Sequence, residues 1–291
     1  MQKKFKDSEL ILNPDGSVYH IGLKPENIAP VVIIVGDQHR VKTISKYFDN
    51  IEFMTQVREF ATHTGTFNNK RITVLSTGIG TDNIDIVINE LDAAVNIDLK
   101  NRVPKDHHTS LDIIRLGTSG ALQPDIEVDS FVASAYGLGL DGLINFYHYN
   151  EEVLETELVK AFVTQTGWNA KLPHPYIIKA SEKLLNKLGG GLRQGITATA
   201  SGFYGPQGRE LRLPLAFPEL NQRIENFSFN GIQITNFEME TSALYALGRL
   251  LGHNTLTICD IIANRVSRTY SKDYKVSIEK LIQHVLEKVT S

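Results

Sequence analysis

The stretch Asn236-Phe237-Glu238-Met239-Glu240-Thr241 decides how the rest of the chain is interpreted. An apolar run at residues 232–234 leads into it, and apolar residues at helical spacing follow it between positions 243 and 251. The two carboxylates therefore lie where a predicted strand gives way to a helix, which is the edge at which open α/β sheets bind ligands. In an extended chain Glu238 and Glu240 point to the same side, with Met239 opposite. A helix start also tolerates acids because of its dipole, so the pair by itself fits a purely structural role.

Composition sets the class of protein. The chain has 291 residues, of which 42% are hydrophobic, and a formal net charge of −3, so no basic excess points to nucleic acid or to a membrane surface. The one cysteine, Cys259, excludes an intramolecular disulfide and agrees with a reduced, cytoplasmic location. The N-terminus has no apolar segment typical of a secretory signal, and the longest apolar run, residues 29–35, is too short to span a bilayer.

Strands and helices alternate along the whole sequence. Apolar, β-rich runs at residues 31–35, 72–75, 111–116, 129–136, 196–200 and 255–263 predict strands. Helices are predicted at residues 151–166 and 179–188 and at the amphipathic C-terminus. The alternating stretch 61–67, the turn Asn68-Asn69 and the run 72–75 predict a hairpin, so the sheet should be mixed. The pattern predicts one α/β domain, residues 1–291, with three layers.

Two strand ends carry residues suited to an anion. Gly36 follows the first apolar strand, where a glycine frees backbone N–H groups, and Arg40 falls in the first turn of the next helix. Arg115 lies in a later strand, just ahead of the small residues Gly117-Thr118-Ser119-Gly120. Each feature also fits a tight turn with a solvated arginine. The adjacent histidines His107 and His108 have the wrong spacing for two ligands on one helix face, so no metal site is predicted.

The loop Ser201-Gly202-Phe203-Tyr204-Gly205-Pro206-Gln207-Gly208-Arg209 combines two aromatic residues with a Gln/Arg pair. Aromatic rings stack on planar groups, and Gln and Arg present paired donors and acceptors. The loop therefore suits a pocket for a planar base, although an exposed surface loop is the simpler interpretation.

Five segments together resemble one family. They are His20-Ile21-Gly22-Leu23, Gly36-Asp37-Gln38-His39-Arg40-Val41, Arg115-Leu116-Gly117-Thr118-Ser119-Gly120, the stretch from Phe203 to Arg209, and the stretch from Asn236 to Glu240. Their order and approximate spacing are similar to those of uridine phosphorylases, in the trimeric/hexameric nucleoside phosphorylase superfamily. Each motif is weak alone, whereas all five in order cover nearly the whole chain. The resemblance implies a three-layer α/β/α sandwich around a mixed, partly barrel-like sheet of the phosphorylase/hydrolase-like type.

The resemblance also implies roles for individual residues. The implied phosphate-binding set is Gly36, Arg40, Arg115 and Thr118, with Arg58 lent by a neighbouring subunit. The implied ribose-binding set is Glu238, Met239 and Glu240, with His20 reaching across the same interface. The implied base-binding set is Phe203, Gln207, Arg209, Ile262 and Arg265. Arg209, Gln207 and Glu240 are the expected catalytic groups.

The implied reaction is the reversible phosphorolysis of uridine to uracil and ribose 1-phosphate, by a pentosyltransferase. Inorganic phosphate is the co-substrate and no further cofactor is expected. The purine-specific relatives have an acid near the end of the strand before Arg265, but the corresponding residue here is Ala263, and Asp260 lies deeper in the strand. This favours a pyrimidine. The alternatives left open are another base specificity (thymidine, deoxyuridine or a purine) and a catalytically silent nucleoside-binding protein of the same fold.

The resemblance also bears on cation binding and on subunit assembly. Asn83 replaces a serine that some bacterial relatives use for a monovalent cation, together with residues matching Glu59 and Ile79, so no cation is predicted. A homodimer is the expected minimal active unit, because Arg58 and His20 would complete a neighbour's site, and the choice between dimer and hexamer stays open.

Overall fold

The computed structural model describes residues 4–291, and its centre is a twelve-stranded mixed sheet. The strands are β1 (Val31–Val35), β2 (Asn50–Val57), β3 (Phe60–Phe67), β4 (Lys70–Ser76), β5 (Ile97–Asp98), β6 (Val103–Pro104), β7 (Asp112–Ala121), β8 (Phe131–Gly139), β9 (Tyr176–Lys179), β10 (Arg193–Thr199), β11 (Ser228–Phe229), β12 (Ile232–Glu238), β13 (Asn254–Asn264) and β14 (Thr269–Tyr270). The helices are α1 (Gln38–Ser45), α2 (Thr81–Asn96), α3 (Thr156–Thr166), α4 (Glu182–Leu188), α5 (Leu220–Glu225), α6 (Thr241–Leu250) and α7 (Tyr274–Thr290).

Part of this sheet closes on itself. The strands follow the order β12-β10-β8-β13-β7, and β12 also pairs antiparallel with β7 through Asn236 and Phe237, which completes a five-stranded ring. From β7 the sheet continues outward through β1, β4, β3 and β2. The predicted mixed, partly barrel-like α/β architecture is therefore confirmed.

The strands that the sequence predicts best are those whose own residues favour them. Every residue of β1 is buried, as expected of a β-branched run covered on both faces. β3 and β4 form the predicted hairpin, and its turn residues Asn68 and Asn69 have φ of 49° and 60°, a left-handed conformation that asparagine tolerates. The run of parallel pairings from β4 through β1 and β7 to β13 then brings the carboxyl ends of these strands to one edge.

Helices cover both faces of the sheet. Along β13 successive side chains alternate: Thr257 meets Thr241 at the start of α6, whereas Asp260 meets Ser277 on α7. α2 packs on α6, and Tyr47, two residues after the end of α1, donates to Glu279 on α7 at 2.7 Å. Within residues 4–291, no helix is long and apolar enough to cross a membrane.

Several boundaries differ from those the sequence predicts. β7 continues through the small residues to Ala121, because they pair with β13, with one shift of register between Ile261 and Ala263. The predicted helix 179–188 begins only at Glu182, since Lys179 pairs with β8 and Ser181 caps the helix. The predicted helix 151–166 is a 3-10 turn at Glu151–Val153 followed by α3. The predicted loop 96–110 contains the small ladder of β5 and β6.

Candidate active site

A cavity of about 770 Å³ opens at the strand ends. Its wall includes most of the residues that the sequence nominated: Gly36, Arg40, Arg115 and Thr118; Glu238, Met239 and Glu240; and Phe203, Gln207, Arg209 and Ile262. Residues expected to meet phosphate, sugar and base thus share one space. The volume lies within the range of small-molecule sites.

A buried ion cluster forms the floor of this cavity. Arg115 is only 4% exposed, and its Nη1 lies 3.1 Å from Glu238 Oε2, while its Nη2 donates to Glu240 Oε2. Burial acts to lower the pKa of Arg115, but the charges of Glu240 and Glu238 outweigh burial and the pKa is raised. The arginine is therefore a permanent cation held by two carboxylates. A Cβ on Gly117 would lie 2.1 Å from Arg115 Nη1, so glycine is required there for the side chain to fold back.

The two glutamates have different surroundings. Glu238 accepts hydrogen bonds from the Thr199 hydroxyl at 2.6 Å and from the backbone N–H groups of Glu240 and Thr241, both at 3.0 Å. Apart from Arg115, Glu240 accepts from the Gly80 N–H at 2.8 Å. Desolvation by burial raises the pKa of Glu240, and Arg115 opposes that rise. Glu238 is thus fully engaged by the protein, whereas Glu240 retains acceptor capacity at the cavity wall.

Thr199 and Gly80 are site residues that sequence reasoning missed. Thr199 ends β10 and donates to Glu238, and its oxygen accepts from the Ser242 N–H at 2.9 Å. Gly80 precedes α2 with φ of 102°, a conformation that favours glycine, and this turn aims its N–H at Glu240. The only sequence signal for Thr199 was a polar residue at the end of a predicted strand.

Arg40 supplies a second cation to the wall. Asp37 begins α1 by accepting from the His39 N–H at 2.9 Å, and Arg40 then reaches back so that its Nη1 donates to the Leu116 carbonyl at 3.2 Å. Burial lowers the pKa of Arg40, and the like charge of Arg115 lowers it further. A guanidinium group that donates to one carbonyl and keeps its other N–H groups free at a strand end can bind an anion.

The loop at the other end of the cavity carries the Gln/Arg pair. Arg209 Nη1 donates to Gln207 Oε1 and to the Phe203 carbonyl, both at 2.7 Å, and its guanidinium lies 3.9 Å from the centre of the Phe203 ring. Burial lowers the pKa of Arg209, and the charge of Arg265 lowers it further. Because Arg209 occupies the Gln207 oxygen, the amide N–H₂ of Gln207 is the group left to donate to a ligand carbonyl.

Three nominated residues lie off the cavity wall. Arg265 sits behind the loop, where its Nη2 donates to the Gln207 carbonyl at 2.6 Å, so it supports the loop. Arg58 is exposed, with φ of 54°, in the turn between β2 and β3. His20 Nδ1 lies 2.6 Å from Glu90 Oε1 against α2. Both of the last two were expected to serve a neighbouring subunit.

The end of β13 presents no acidic side chain to the cavity. Ala263 lines the cavity, whereas Asp260 is buried behind the sheet. Within residues 4–291 no group of three or more His, Cys, Asp or Glu side chains is arranged to hold a metal ion.

A family model described as the phosphorylase superfamily matches residues 30–289. The chain belongs to this superfamily. Among curated relatives of this phosphorylase, uridine phosphorylase of Thermococcus kodakarensis is 32% identical over 282 residues, covering 94% of the chain and 86% of the relative. A DeoD-type purine nucleoside phosphorylase of Clostridium perfringens is 29% identical, covering 92% of the chain and 97% of the relative.

A solved structure resembles this phosphorylase closely. It is a Trypanosoma brucei nucleoside phosphorylase that shows uridine phosphorylase activity, with 28% identity and a TM-score of 0.84, and the match covers 97% of this chain and 100% of the other. The predicted membership in the nucleoside phosphorylase family, and with it a pentosyltransferase, is confirmed.

Proposed function

We propose that this phosphorylase is a uridine phosphorylase, which cleaves uridine with inorganic phosphate to give uracil and ribose 1-phosphate. The observation that carries the proposal is one cavity that joins two arginines, a buried carboxylate with free acceptor capacity and a Gln/Arg pair. Those three sets match the three parts of the reaction: an anionic nucleophile, a sugar and a polar base. Its relatives in Thermococcus kodakarensis and Trypanosoma brucei support the same assignment.

Phosphate would bind at the end of the cavity formed by Gly36, Arg40 and Thr118. Arginine binds phosphate oxygens through paired donors, and a bound phosphate held against the sugar reacts as if intramolecularly. Attack occurs at the anomeric carbon while the glycosidic bond lengthens, through a transition state resembling an oxocarbenium ion. Phosphate is itself the nucleophile, so no side chain needs to become covalently attached.

Glu240, with Met239 beside it, would hold the ribose. Glu240 is fixed by Arg115 and by the Gly80 N–H, and a carboxylate so fixed accepts hydrogen bonds from sugar hydroxyls. Its negative charge also lies near the carbon on which positive charge develops, and a preorganised charge stabilises that transition state.

The loop would stabilise the departing uracil. As the bond breaks, negative charge spreads over the base and its carbonyl oxygens. The free amide N–H₂ of Gln207 and the remaining N–H groups of Arg209 can donate to those oxygens, while the Phe203 ring offers a surface for the base. A uracil anion leaves without a strong acid, and Ala263 supplies none on this wall, which favours a pyrimidine over a purine.

A second subunit would complete the site. Arg58 and His20 lie outside the cavity of their own chain, and the turn that carries Arg58 follows the exposed strand β2. We propose a homodimer as the minimal active unit, in which each chain lends Arg58 and His20 to its neighbour.

The test is an absorbance assay of uridine cleavage with and without phosphate, run beside inosine and thymidine. Phosphate-dependent cleavage of uridine with inosine untouched is the expected result. Cleavage without phosphate would indicate a hydrolase and would remove the role of the arginines. Uridine binding without any cleavage would indicate a silent nucleoside-binding protein.

A further inference from the structure

A buried carboxyl group lies behind the phosphate end of the cavity, on the opposite face of the sheet from Arg115. Asp260 is fully buried on β13, paired in register with Thr118 of β7. Its Oδ2 lies 2.6 Å from the Ser277 hydroxyl, and its Oδ1 has no hydrogen-bond partner among residues 4–291. An ionised carboxylate in this position would leave half of its acceptor capacity unused in a dry environment, which is costly.

Counting protons around Ser277 explains this arrangement. The Ser277 oxygen lies 2.6 Å from Asp260, 3.1 Å from Asp129 Oδ1 and 3.1 Å from the Tyr274 carbonyl, yet a hydroxyl has a single proton to donate. With both aspartates ionised, three acceptors compete for that proton. With Asp260 protonated, Asp260 donates to Ser277 and Ser277 is free to donate to Asp129. The chain of bonds is satisfied when Asp260 is neutral.

Burial and the charge of Asp129 also favour the neutral form of Asp260. Burial raises the pKa of Asp260 to about 6, the negative charge of Asp129 raises it too, and the Ser277 hydrogen bond and the charge of Arg40 oppose the rise. Burial lowers the pKa of Arg40, and the charge of Arg115 lowers it further. The charges of Asp37, Tyr274 and Asp260 raise it. Arg40 donates to the Leu116 carbonyl, two residues before Thr118, and Thr118 is the strand partner of Asp260. The guanidinium and the carboxyl group therefore lie near one another along β7, and Arg40 is the cation that lines the phosphate end.

We infer that Asp260 is a positioning residue for phosphate: neutral, it leaves the charge of Arg40 to the incoming anion, and ionised, it competes with that anion for Arg40. The inference rests on the proposed function only in taking Arg40 as a phosphate ligand. Linkage requires the reverse effect as well, so bound phosphate favours the protonated form of Asp260. Phosphate affinity should fall as pH rises through the pKa of Asp260.

The experiment measures the binding of inorganic phosphate alone by titration calorimetry, from pH 5 to pH 8, for the wild type and for Asp260→Asn. The phosphate ion itself titrates in this range, but its contribution cancels in the ratio of the two dissociation constants at each pH. That ratio, wild type over variant, should rise by roughly tenfold between pH 5 and pH 8, the effect of coupling worth one pKa unit. A ratio that stays flat with pH, or phosphate that binds to neither protein, would overturn the inference.

A second variant guards against a purely structural effect. Asp129→Asn removes the like charge from Asp260 without touching the cavity, and asparagine tolerates the φ of 63° found there. The ratio of the dissociation constant of Asp129→Asn to that of Asp260→Asn should again rise with pH, with a midpoint at lower pH than the ratio for the wild type. An unmoved midpoint in this variant would contradict the role given to Asp260, because its titration would then not respond to the neighbouring charge of Asp129. The calorimetry contains phosphate and no uridine. A failure to cleave uridine in the separate absorbance assay would therefore refute the proposed function without changing the phosphate-binding result.

Discussion

Replacing Glu240 by glutamine should separate catalysis from stability at this site. The change keeps the shape of the side chain but removes its charge and turns one oxygen into an amide N–H₂. The Gly80 N–H and Arg115 both donate to Glu240 in the wild type. In the variant, one of these two donors would face the new amide N–H₂ instead of an acceptor. Glu238→Gln is the matched control, since Glu238 is a neighbouring buried glutamate held by Arg115, Thr199 and two backbone N–H groups.

The magnitudes follow from these contacts. A hydrogen bond to a charged group contributes about 1.5–3 kcal/mol, so losing two such bonds from sugar hydroxyls to Glu240 should lower kcat/KM for uridine roughly 10²- to 10⁴-fold. The free energy of unfolding of Glu240→Gln should fall by only about 1–2 kcal/mol. The loss of one hydrogen bond is partly offset because a buried, desolvated charge is removed with it. Glu238→Gln should cost about 3 kcal/mol or more, since several buried donors lose their shared acceptor.

The assay pairs steady-state cleavage of uridine at saturating phosphate with unfolding in urea for both variants. The expected pattern is a large kinetic loss with modest destabilisation for Glu240→Gln, and a larger loss of stability for Glu238→Gln. A Glu240→Gln enzyme within about threefold of the wild type in kcat/KM, less than one hydrogen bond's worth, would remove Glu240 from the sugar site.

Three other changes test separate parts of the structure. Arg209→Ala should raise the KM for uridine about tenfold or more and leave the KM for phosphate nearly unchanged, whereas an equal rise in both constants would put Arg209 elsewhere. Asp260→Asn should stabilise the protein by roughly 1–3 kcal/mol at pH 8 and not at pH 4: the folded carboxyl has a raised pKa, so the stability it contributes below its unfolded pKa is lost as pH rises through about 6. Denaturant titrations at both pH values measure the difference, and an equal effect at both would contradict it. Gly65→Ala should lower Tm and cost about 1–3 kcal/mol because a Cβ would lie 2.1 Å from the Asn50 carbonyl oxygen, whereas Gly190→Ala, with nothing within 4 Å, is the control and should leave Tm unchanged.

The parts of the fold predicted from sequence are those with a local cause. The β1 run is continuously β-branched, and the Asn68-Asn69 turn suits a left-handed conformation, so both could be assigned from neighbouring residues alone. Closure of the ring depends instead on the pairing of Asn236 and Phe237 with Gly120 and Ala121, more than a hundred positions away. No local pattern encodes such a pairing, and the barrel-like sheet was expected only through the family resemblance.

The same limit applies to the candidate site. The sequence placed Glu238 and Glu240 on one side of an extended segment, and both carboxylates do reach Arg115, although Met239 also lines the cavity. The extended segment ends at Glu238, and Glu240 is already the residue that precedes α6, so the simple alternation does not hold through position 240. That Thr199 would supply a donor to Glu238 could not be predicted, because it arrives from another strand.

Arg40 and Arg115 were nominated for the same task, but their contacts favour different roles. Arg115 faces two carboxylates, so the cluster around it has no net positive charge to offer an anion. Arg40 donates to one carbonyl and forms no ion pair within residues 4–291, so most of its donors remain available. We infer that Arg40 recognises phosphate while Arg115 chiefly holds Glu240. The KM for phosphate of Glu240→Gln tests this division: it should stay close to that of the wild type, whereas a clearly lower value would mean that Arg115, once freed from Glu240, binds phosphate itself.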